Sequence, residues 1–376
     1  MKKSVRGLMT GLLASTALYG FTSPLVATAA FADNQQGQPR IEVAFVLDTT
    51  GSMADLIDGA KRKIWSIANT IVDIHPNANI EMALIGYRDI GDDYVIKSYD
   101  MSPDIQGLYG NLVHFQANGG GDTPEAVNEA LDASVRQLDW TEGEDTQRIV
   151  FLVGDAPPHM DYDNAPKYPE VIKAARKEGI IVNAVQAGGD RETKKIWKEI
   201  AQLGNGRYIP IPQDGGQIKI IETPFDGDII ILQKRIDDTV VPYGSEAEQS
   251  AVHDKMELKE AAPSSVQVEN SKFYSKRSSV KEVITGGGDL VADIKNGAVS
   301  LDKVEDGNLP KELQDKSKEE KQAYIDAKLE EREQLEKAMS KLITKYDAYV
   351  AEKAKEQGET DSFDHAVQET LKQQLY

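Results

Sequence analysis

Residues 41–53 read Ile-Glu-Val-Ala-Phe-Val-Leu-Asp-Thr-Thr-Gly-Ser-Met, an apolar run that ends in Asp48, Thr50 and Ser52. Oxygen side chains on alternate residues of a tight strand-to-helix turn can all face one point. A carboxylate with two hydroxyls is a hard, oxygen-only donor set suited to Mg²⁺, with Mn²⁺ or Ca²⁺ as alternatives. The competing reading is a capped helix, with Ser52 as the N-cap and Asp48 holding the turn. Two later segments favour the ion. Residues 119–125, Gly-Gly-Gly-Asp-Thr-Pro-Glu, read as a flexible loop entering a helix near Pro124. Residues 148–155, Arg-Ile-Val-Phe-Leu-Val-Gly-Asp, read as a buried strand ending in a second acid. Ligand sites in open α/β sheets collect beyond the carboxyl ends of the strands. Asp48, Thr50, Ser52, Thr123 and Asp155 can therefore meet.

The elements that would position these residues follow from periodicity. A strand at 41–47 leads into a helix over 53–74, where Leu56, Ala60, Ile64, Ile67, Ile71 and Ile74 recur at helical spacing. A strand is predicted at 80–87, an edge strand over 94–99 and a short helix around Leu108, Leu112 and Phe115. Next come a helix at 124–138, the strand at 148–153 and a helix near 168–178. A strand at 180–186, a helix at 191–203, a strand at 207–211 and a helix near 215–236 complete the series. Strands alternating with helices imply right-handed crossovers and a doubly wound, mainly parallel sheet covered on both faces.

The five-residue set resembles the metal-ion-dependent adhesion site of von Willebrand factor A domains, whose pattern is Asp-x-Ser/Thr-x-Ser, then a distal Thr and a distal Asp. The resemblance spans residues 40–238 and extends to Gly86-Tyr87-Arg88-Asp89 and Asp155-Ala156-Pro157-Pro158-His159. It is similar in these respects to bacterial exported A-domain proteins and to the A domain joined to some alpha-kinases. The resemblance implies that Thr50 and Ser52 ligate the ion through their hydroxyls, and Thr123 directly or through water. Asp48 and Asp155 would hold it directly or through bound waters. One position would stay open for a protein partner's Asp or Glu. The chain has Thr rather than the commoner Ser at position 50, and a hydroxyl is kept.

The whole chain narrows the class of function. It has 376 residues, a formal charge of −19 and no cysteine, so disulfides and thiol chemistry are excluded. An acidic surface of that size argues against nucleic acid or anionic membrane as a partner. Lys2, Lys3 and Arg6 precede a weakly apolar stretch from Leu8 to Ala30, and Ala30-Phe31-Ala32 offers a small-x-small cleavage site. Residues 1–32 thus read as a signal peptide, with a retained anchor as the alternative. The mature chain is expected in the periplasm or outside the cell, without a membrane span. Residues 239–270 are polar and read as a linker. Residues 271–309 hold short strand-like pieces around Gly286-Gly287-Gly288. From Pro310 a charged helical region begins, and a last helix is expected over 361–375. The smaller region at 271–376 is thus expected to be largely helical. Its stripe of Ile325, Leu329, Met339, Ile343, Tyr346 and Val350, interrupted by Arg332 and Glu336, fits packing against a neighbouring helix. Self-association through these helices is the alternative.

No catalytic set stands out, so the chain is expected to be a binding module rather than an enzyme. Among the histidines, His114 reads as half-buried packing and His75 as a helix terminator. His159 lies beside the proposed ion and, with Asp122 and Tyr162, is a candidate for the rim of a partner pocket. His159 as the base of a metal-dependent hydrolase is the main alternative. A phosphatase of the haloacid dehalogenase type would need a second acid where Thr50 stands. Neither a nucleophile elbow nor a P-loop occurs. Arg88 and Asp89 are expected to buttress the loops as an internal salt bridge. Glu125 reads as a helix-start acid favoured by the dipole.

Overall fold

The computed structural model describes residues 39–376 except Asp122, 164–165, 217–219, 278–284, 358–362 and Tyr376. The described residues fall within one compact unit. The expected signal peptide at 1–32 lies outside the described residues.

Six strands make one sheet: β1 (Arg40–Asp48), β2 (Asn79–Tyr87), β3 (Ile96–Ser102), β4 (Thr146–Gly154), β5 (Ile180–Ala187) and β6 (Asn205–Ile211). Their order is β3-β2-β1-β4-β5-β6. All neighbours run parallel except β3, which pairs antiparallel with β2 at the edge. The central strand β1 is buried from Ile41 to Asp48, as a parallel strand covered on both faces must be. Its side chains alternate. Ile41, Val43, Phe45 and Leu47 join one apolar core, and Ala44 and Val46 join the other.

The helices sort onto those two faces. α1 (Ala54–Ile74) and α2 (Ile105–Val113) cover the first. α3 (Val127–Arg136), α4 (Tyr168–Lys177) and α5 (Arg191–Leu203) cover the second. The chain then continues through α6 (Asp226–Asp237), α7 (Glu246–Ala261), α8 (Ser264–Arg277), α9 (Leu290–Asn296), α10 (Lys311–Gln314), α11 (Lys318–Gln357) and α12 (Phe363–Leu375). None of the described helices is long and apolar enough to cross a membrane.

The doubly wound reading holds, but the division of the chain does not. The expected linker at 239–270 is mostly the helices α7 and α8, and the strand-like pieces beyond 271 are the rest of α8, α9 and turns. Val266, Phe273 and Tyr274 of α8 belong to the same core as α1. Trp65 of α1 is fully buried against Tyr109, Phe273 and Tyr274, with ring centroids 6.2, 5.5 and 5.7 Å away. Such aromatic pairs add about 0.5–1.5 kcal/mol each beyond the area they bury. The rest of the α8 contact is polar: Asn69 donates to the Glu269 carbonyl at 2.9 Å, Asn270 to Gln106 at 2.9 Å and Arg277 to the Ala78 carbonyl at 2.6 Å. A helix docked by few apolar side chains and several hydrogen bonds reads as polar, which is why its composition suggests a linker.

Phe363, Val367, Leu371 and Leu375 of α12 also enter the α1 core. Gln374 and Asn183 exchange hydrogen bonds at 2.8 and 3.0 Å, and the Leu375 carbonyl lies 2.8 Å from His75 Nε2. The last helix therefore completes the sheet's first layer across nearly the full length of the chain. The stripe on α11 is covered within the chain: Met339, Ile343 and Tyr346 pack with Ile229, Ile236 and Val268. Arg332, which interrupts that stripe, is buried. It donates to Asp289 Oδ2 and Thr239 Oγ1, both at 2.6 Å. Three smaller expectations shift. The helix expected at 215–236 is α6, which begins only at Asp226. His114 is exposed, with Nδ1 2.7 Å from the Gly110 carbonyl, rather than half-buried. The helix expected from Pro124 starts at Val127, and the residues before it are tied to neighbouring loops, Glu125 N–H to the Pro157 carbonyl and Ala126 N–H to the Arg88 carbonyl.

A core substitution in α12 tests this unity. Leu371→Ala removes a fully buried side chain and is expected to lower the unfolding free energy of the whole α/β unit by about 2–5 kcal/mol. Urea unfolding followed by circular dichroism reads the change. An unshifted midpoint would mean that α12 rests on the sheet without contributing to it.

Candidate functional site

β1 runs to β2 on one side and pairs with β4 on the other, so the order of the sheet reverses at β1 and β4. Their carboxyl ends form the switch point where ligands of such sheets bind. Asp48 ends β1 and Asp155 directly follows β4. The first turn beyond β1 is held by its own polar groups. Asp48 Oδ1 accepts from Thr50 N–H at 2.9 Å and from Thr50 Oγ1 at 2.7 Å, and Thr50 Oγ1 lies 3.3 Å from Ser52 Oγ. Asp48 and Thr50 are buried, whereas Ser52 opens to solvent. The turn belongs to both readings of the sequence, but Ser52 is not a side-chain cap of the helix that follows.

Asp48 Oδ2 has no hydrogen-bond partner among the described residues, although the side chain is fully buried. Burial pushes this carboxyl up to about 7, against the hydrogen bonds of Thr50 that lower it; the Asp155 charge adds to the rise. Asp155 is half-buried and accepts at Oδ2 from Gln213 Nε2 at 2.7 Å. Gly154 leaves room beside it, since a Cβ there would collide with the Tyr87 hydroxyl and lie 3.1 Å from Asp48 Oδ2.

The glycine loop closes over this turn from the other side. Gly51 N–H bonds to the Gly119 carbonyl at 3.2 Å, and Asn118 N–H to the Thr49 carbonyl at 3.1 Å. Gly119 and Gly120 adopt φ of 76° and 70°, which other residues seldom take. Asp92 pins the loop by accepting from Gly120 N–H at 3.0 Å. Thr123 is exposed and makes no hydrogen bond to Asp48, Thr50, Ser52 or Asp155 among the described residues. Asp122 lies outside the described residues. The acid that does face the site is Glu125. A Cβ on Gly120 would stand 2.9 Å from both Glu125 Oε1 and Thr50 Cβ. Glu125 is 4% exposed, and its Oε2 has no hydrogen-bond partner among the described residues. Burial raises this carboxyl to about 9, assisted by the charges of Asp48, Asp89, Asp92 and Asp155. Its sequence position reads equally well as a first-turn acid, so nothing in the sequence singled it out.

His159 and Tyr162 form the neighbouring wall. The His159 ring is buried and stacks on Tyr162, centroids 3.9 Å apart. Its Nδ1 is 2.8 Å from Asp161 and its Nε2 3.4 Å from Asp89, the latter an ion-pair distance without hydrogen-bond alignment. Tyr162 donates to both oxygens of Asp89 at 3.1 Å. The Arg88–Asp89 pair expected from sequence does not form. Arg88 instead donates to the carbonyls of Thr49 and Gln116 at 3.2 and 2.8 Å, with Asp93 3.4 Å away. Adjacent residues leaving a strand point to opposite sides. Exposed Ile90 and Met160 border this wall.

A model of the von Willebrand factor A domain matches residues 42–218, the stretch that carries every element just described. Residues 42–218 are a von Willebrand factor A domain. The chain is 33% identical over 122 residues to a putative ariadne-like RING finger protein of Acanthamoeba polyphaga mimivirus, covering 32% of this chain and only 12% of that one. It is 27% identical over 220 residues to the uncharacterized protein YwmC of Bacillus subtilis, covering 54% of this chain and 88% of YwmC. Among solved structures it is similar to the conserved hypothetical protein BatB from Bacteroides thetaiotaomicron, at 17% identity and a TM-score of 0.35, covering 58% of this chain and 98% of BatB.

The residues of the A domain fit a hard cation on one observation: a buried carboxylate oxygen without a donor, beside two hydroxyls and a second acid. Among the described residues no three acidic or imidazole side chains gather closely enough to hold an ion alone, so the hydroxyls are essential to such a set. Without an ion, the site has a pH signature. Asp48 at about 7 and Glu125 at about 9 lie above their ordinary 3.8 and 4.5. The folded chain then binds more protons than the unfolded one, and stability falls as pH rises from about 4 to about 9. Thermal unfolding in chelator is expected to show a falling midpoint across that window. Glu125→Gln should flatten its upper part. A midpoint that climbs between pH 7 and 9 would contradict these environments.

Proposed function

We propose that the protein is an exported binding module that holds a divalent ion, Mg²⁺ first and Mn²⁺ or Ca²⁺ as alternatives, and engages a protein partner's Asp or Glu through it. Thr50 and Ser52 would supply hydroxyls and Asp48 and Asp155 carboxylates, with Thr123 reaching the ion directly or through water. The single observation that carries this reading is the buried, unpartnered Asp48 Oδ2 at the switch point of an A domain. A cation relieves the desolvation of that oxygen, which otherwise stays uncompensated. A charge-assisted contact at the ion would anchor the partner. Exposed Ile90 and Met160 offer apolar area around it. The acidic balance of the chain speaks against nucleic acid.

A binding role is favoured over hydrolysis by the surroundings of His159. A general base must reach the proton it removes, and this imidazole is buried with a carboxylate near each nitrogen. The proposal is tested by melting the protein with and without Mg²⁺. The unaltered chain should gain stability with added ion, by about 2.7 kcal/mol at a hundredfold excess over the dissociation constant. Asp155→Ala should abolish that gain and leave the far-ultraviolet circular dichroism unchanged. A variant that keeps the full Mg²⁺ effect would refute the ligand set. Partner capture from an exported fraction should be released by EDTA, and capture that survives EDTA would refute the ion-mediated contact.

A further inference from the structure

The helices that follow the A domain carry a cleft of their own. It lies among α6, the turn after it, α7 and the start of α8, and has a volume of about 480 Å³, within the roughly 300–1,000 Å³ of small-molecule sites. Ile230, Val240, Pro242 and Met256 give it half-buried apolar walls. Lys259 also lines it, although that residue is only 4% exposed. Lys259 Nζ donates to Asp237 Oδ1 at 2.7 Å, and Gln233 Nε2 donates to the same oxygen at 2.8 Å. Gln233 and Asp237 stand one turn apart on α6, so one helix fixes the carboxylate and the lysine reaches it from α7. An ammonium has three N–H donors, and Asp237 is the only acceptor that Lys259 Nζ meets among the described residues. Burial holds this amine below the ordinary lysine range, against the charge and hydrogen bond of Asp237 that raise it. A pair that only pinned α7 to α6 would need no open space beside it, and this one borders a cleft.

Charge selects what can enter. Asp237 balances Lys259, Glu260 balances Lys234, and Asp238 adds a further acid. An anion therefore meets more acid than base, and a cation meets the lysine. An uncharged group that accepts a hydrogen bond suits the amine, and a short hydrocarbon tail suits the apolar walls. A desolvated lysine is also the side chain best fitted to attack a carbonyl carbon. We propose that this cleft captures small apolar aldehydes as a Schiff base on Lys259. Lys259 passes a proton to Asp237, and the freed amine bonds to the aldehyde carbon. The resulting hydroxyl takes the proton back from Asp237 and leaves as water, so a C=N bond replaces the C=O bond. The product is the protonated imine. Asp237 thus keeps a cation beside it, and no buried charge is left unpaired. The cleft lies outside residues 42–218 and needs no ion, so it stands or falls separately from the proposed function.

Reductive trapping tests the assignment. The full chain, in EDTA, is exposed briefly to butanal with cyanoborohydride, which reduces an imine to a stable secondary amine. Peptide mass spectrometry then reads the alkylation of each lysine. Lys259 is expected to be labelled about tenfold faster than exposed lysines such as Lys311 and Lys341, because the cleft concentrates the aldehyde beside the amine. Glyoxylate, an aldehyde that carries a carboxylate, should show no such preference. Met256→Trp fills the cleft and should remove the preference for butanal, with circular dichroism checking that the variant is folded. Labelling of Lys259 in the unaltered chain no faster than that of the exposed lysines would overturn the proposal. So would an equal preference with glyoxylate, or an undiminished one in the folded variant.

Discussion

Carboxyl groups buried at the end of a mainly parallel sheet organise this molecule. Asp48 lies on the innermost strand, where both faces are covered and water is excluded. One of its oxygens is satisfied by the turn that follows, and the other has no hydrogen-bond partner among the described residues. Glu125 arrives from a separate loop with the same deficit. A buried acid in that state either keeps a proton or meets a cation, because an isolated ionised carboxylate is too costly to bury. The two fates are linked. An ion bound at the turn would displace the protons, and acid conditions would displace the ion. The rest of the A domain can be understood as the frame that keeps these groups from escaping to water.

That frame is wider than the family match. Strand ends set the positions of Asp48 and Asp155, while hydrogen bonds from the glycine loop to Asp92 and the Thr49 carbonyl, and from Gly51 N–H to the loop, hold it over them. Beneath, α1 begins directly after the turn that holds Asp48, Thr50 and Ser52 and is clamped by α8 and α12, which come from the last third of the chain. The aromatic cluster around Trp65 and the Gln374–Asn183 pair tie distant sequence to the same layer. A displacement of those helices would be felt by α1 and so by the turn at its start. The C-terminal helices are therefore part of the support of the site, and the buried Arg332–Asp289 pair joins α11 to the segment that follows α8.

Much of the α/β pattern was legible because its strands are apolar on both faces and its helices amphipathic at regular spacing. β1, β4 and β5 read almost residue for residue, as did α1 and α5. The oxygen set at Asp48, Thr50 and Ser52 was legible because alternate residues of one turn need no tertiary information to meet. What failed needed that information. α7 and α8 carry too few apolar residues to announce a buried face, since hydrogen bonds from Asn69, Asn270 and Arg277 share the docking. Glu125 was hidden for a different reason. A glutamate after Thr-Pro at a helix start is stabilised by the dipole in any protein, and only the bridge to Pro158 turns it inward. Arg88 and Asp89 were paired by adjacency, whereas the strand end separates them.

The central claim is that the turn after β1 is a cation site, and diffraction can locate the cation directly. A crystal soaked in Mn²⁺ and measured at its absorption edge should give one dominant anomalous peak at bonding distance, about 2.0–2.3 Å, from the hydroxyls of Thr50 and Ser52. A map without a peak there, or with its strongest peak on the acidic outer surface, would contradict the account.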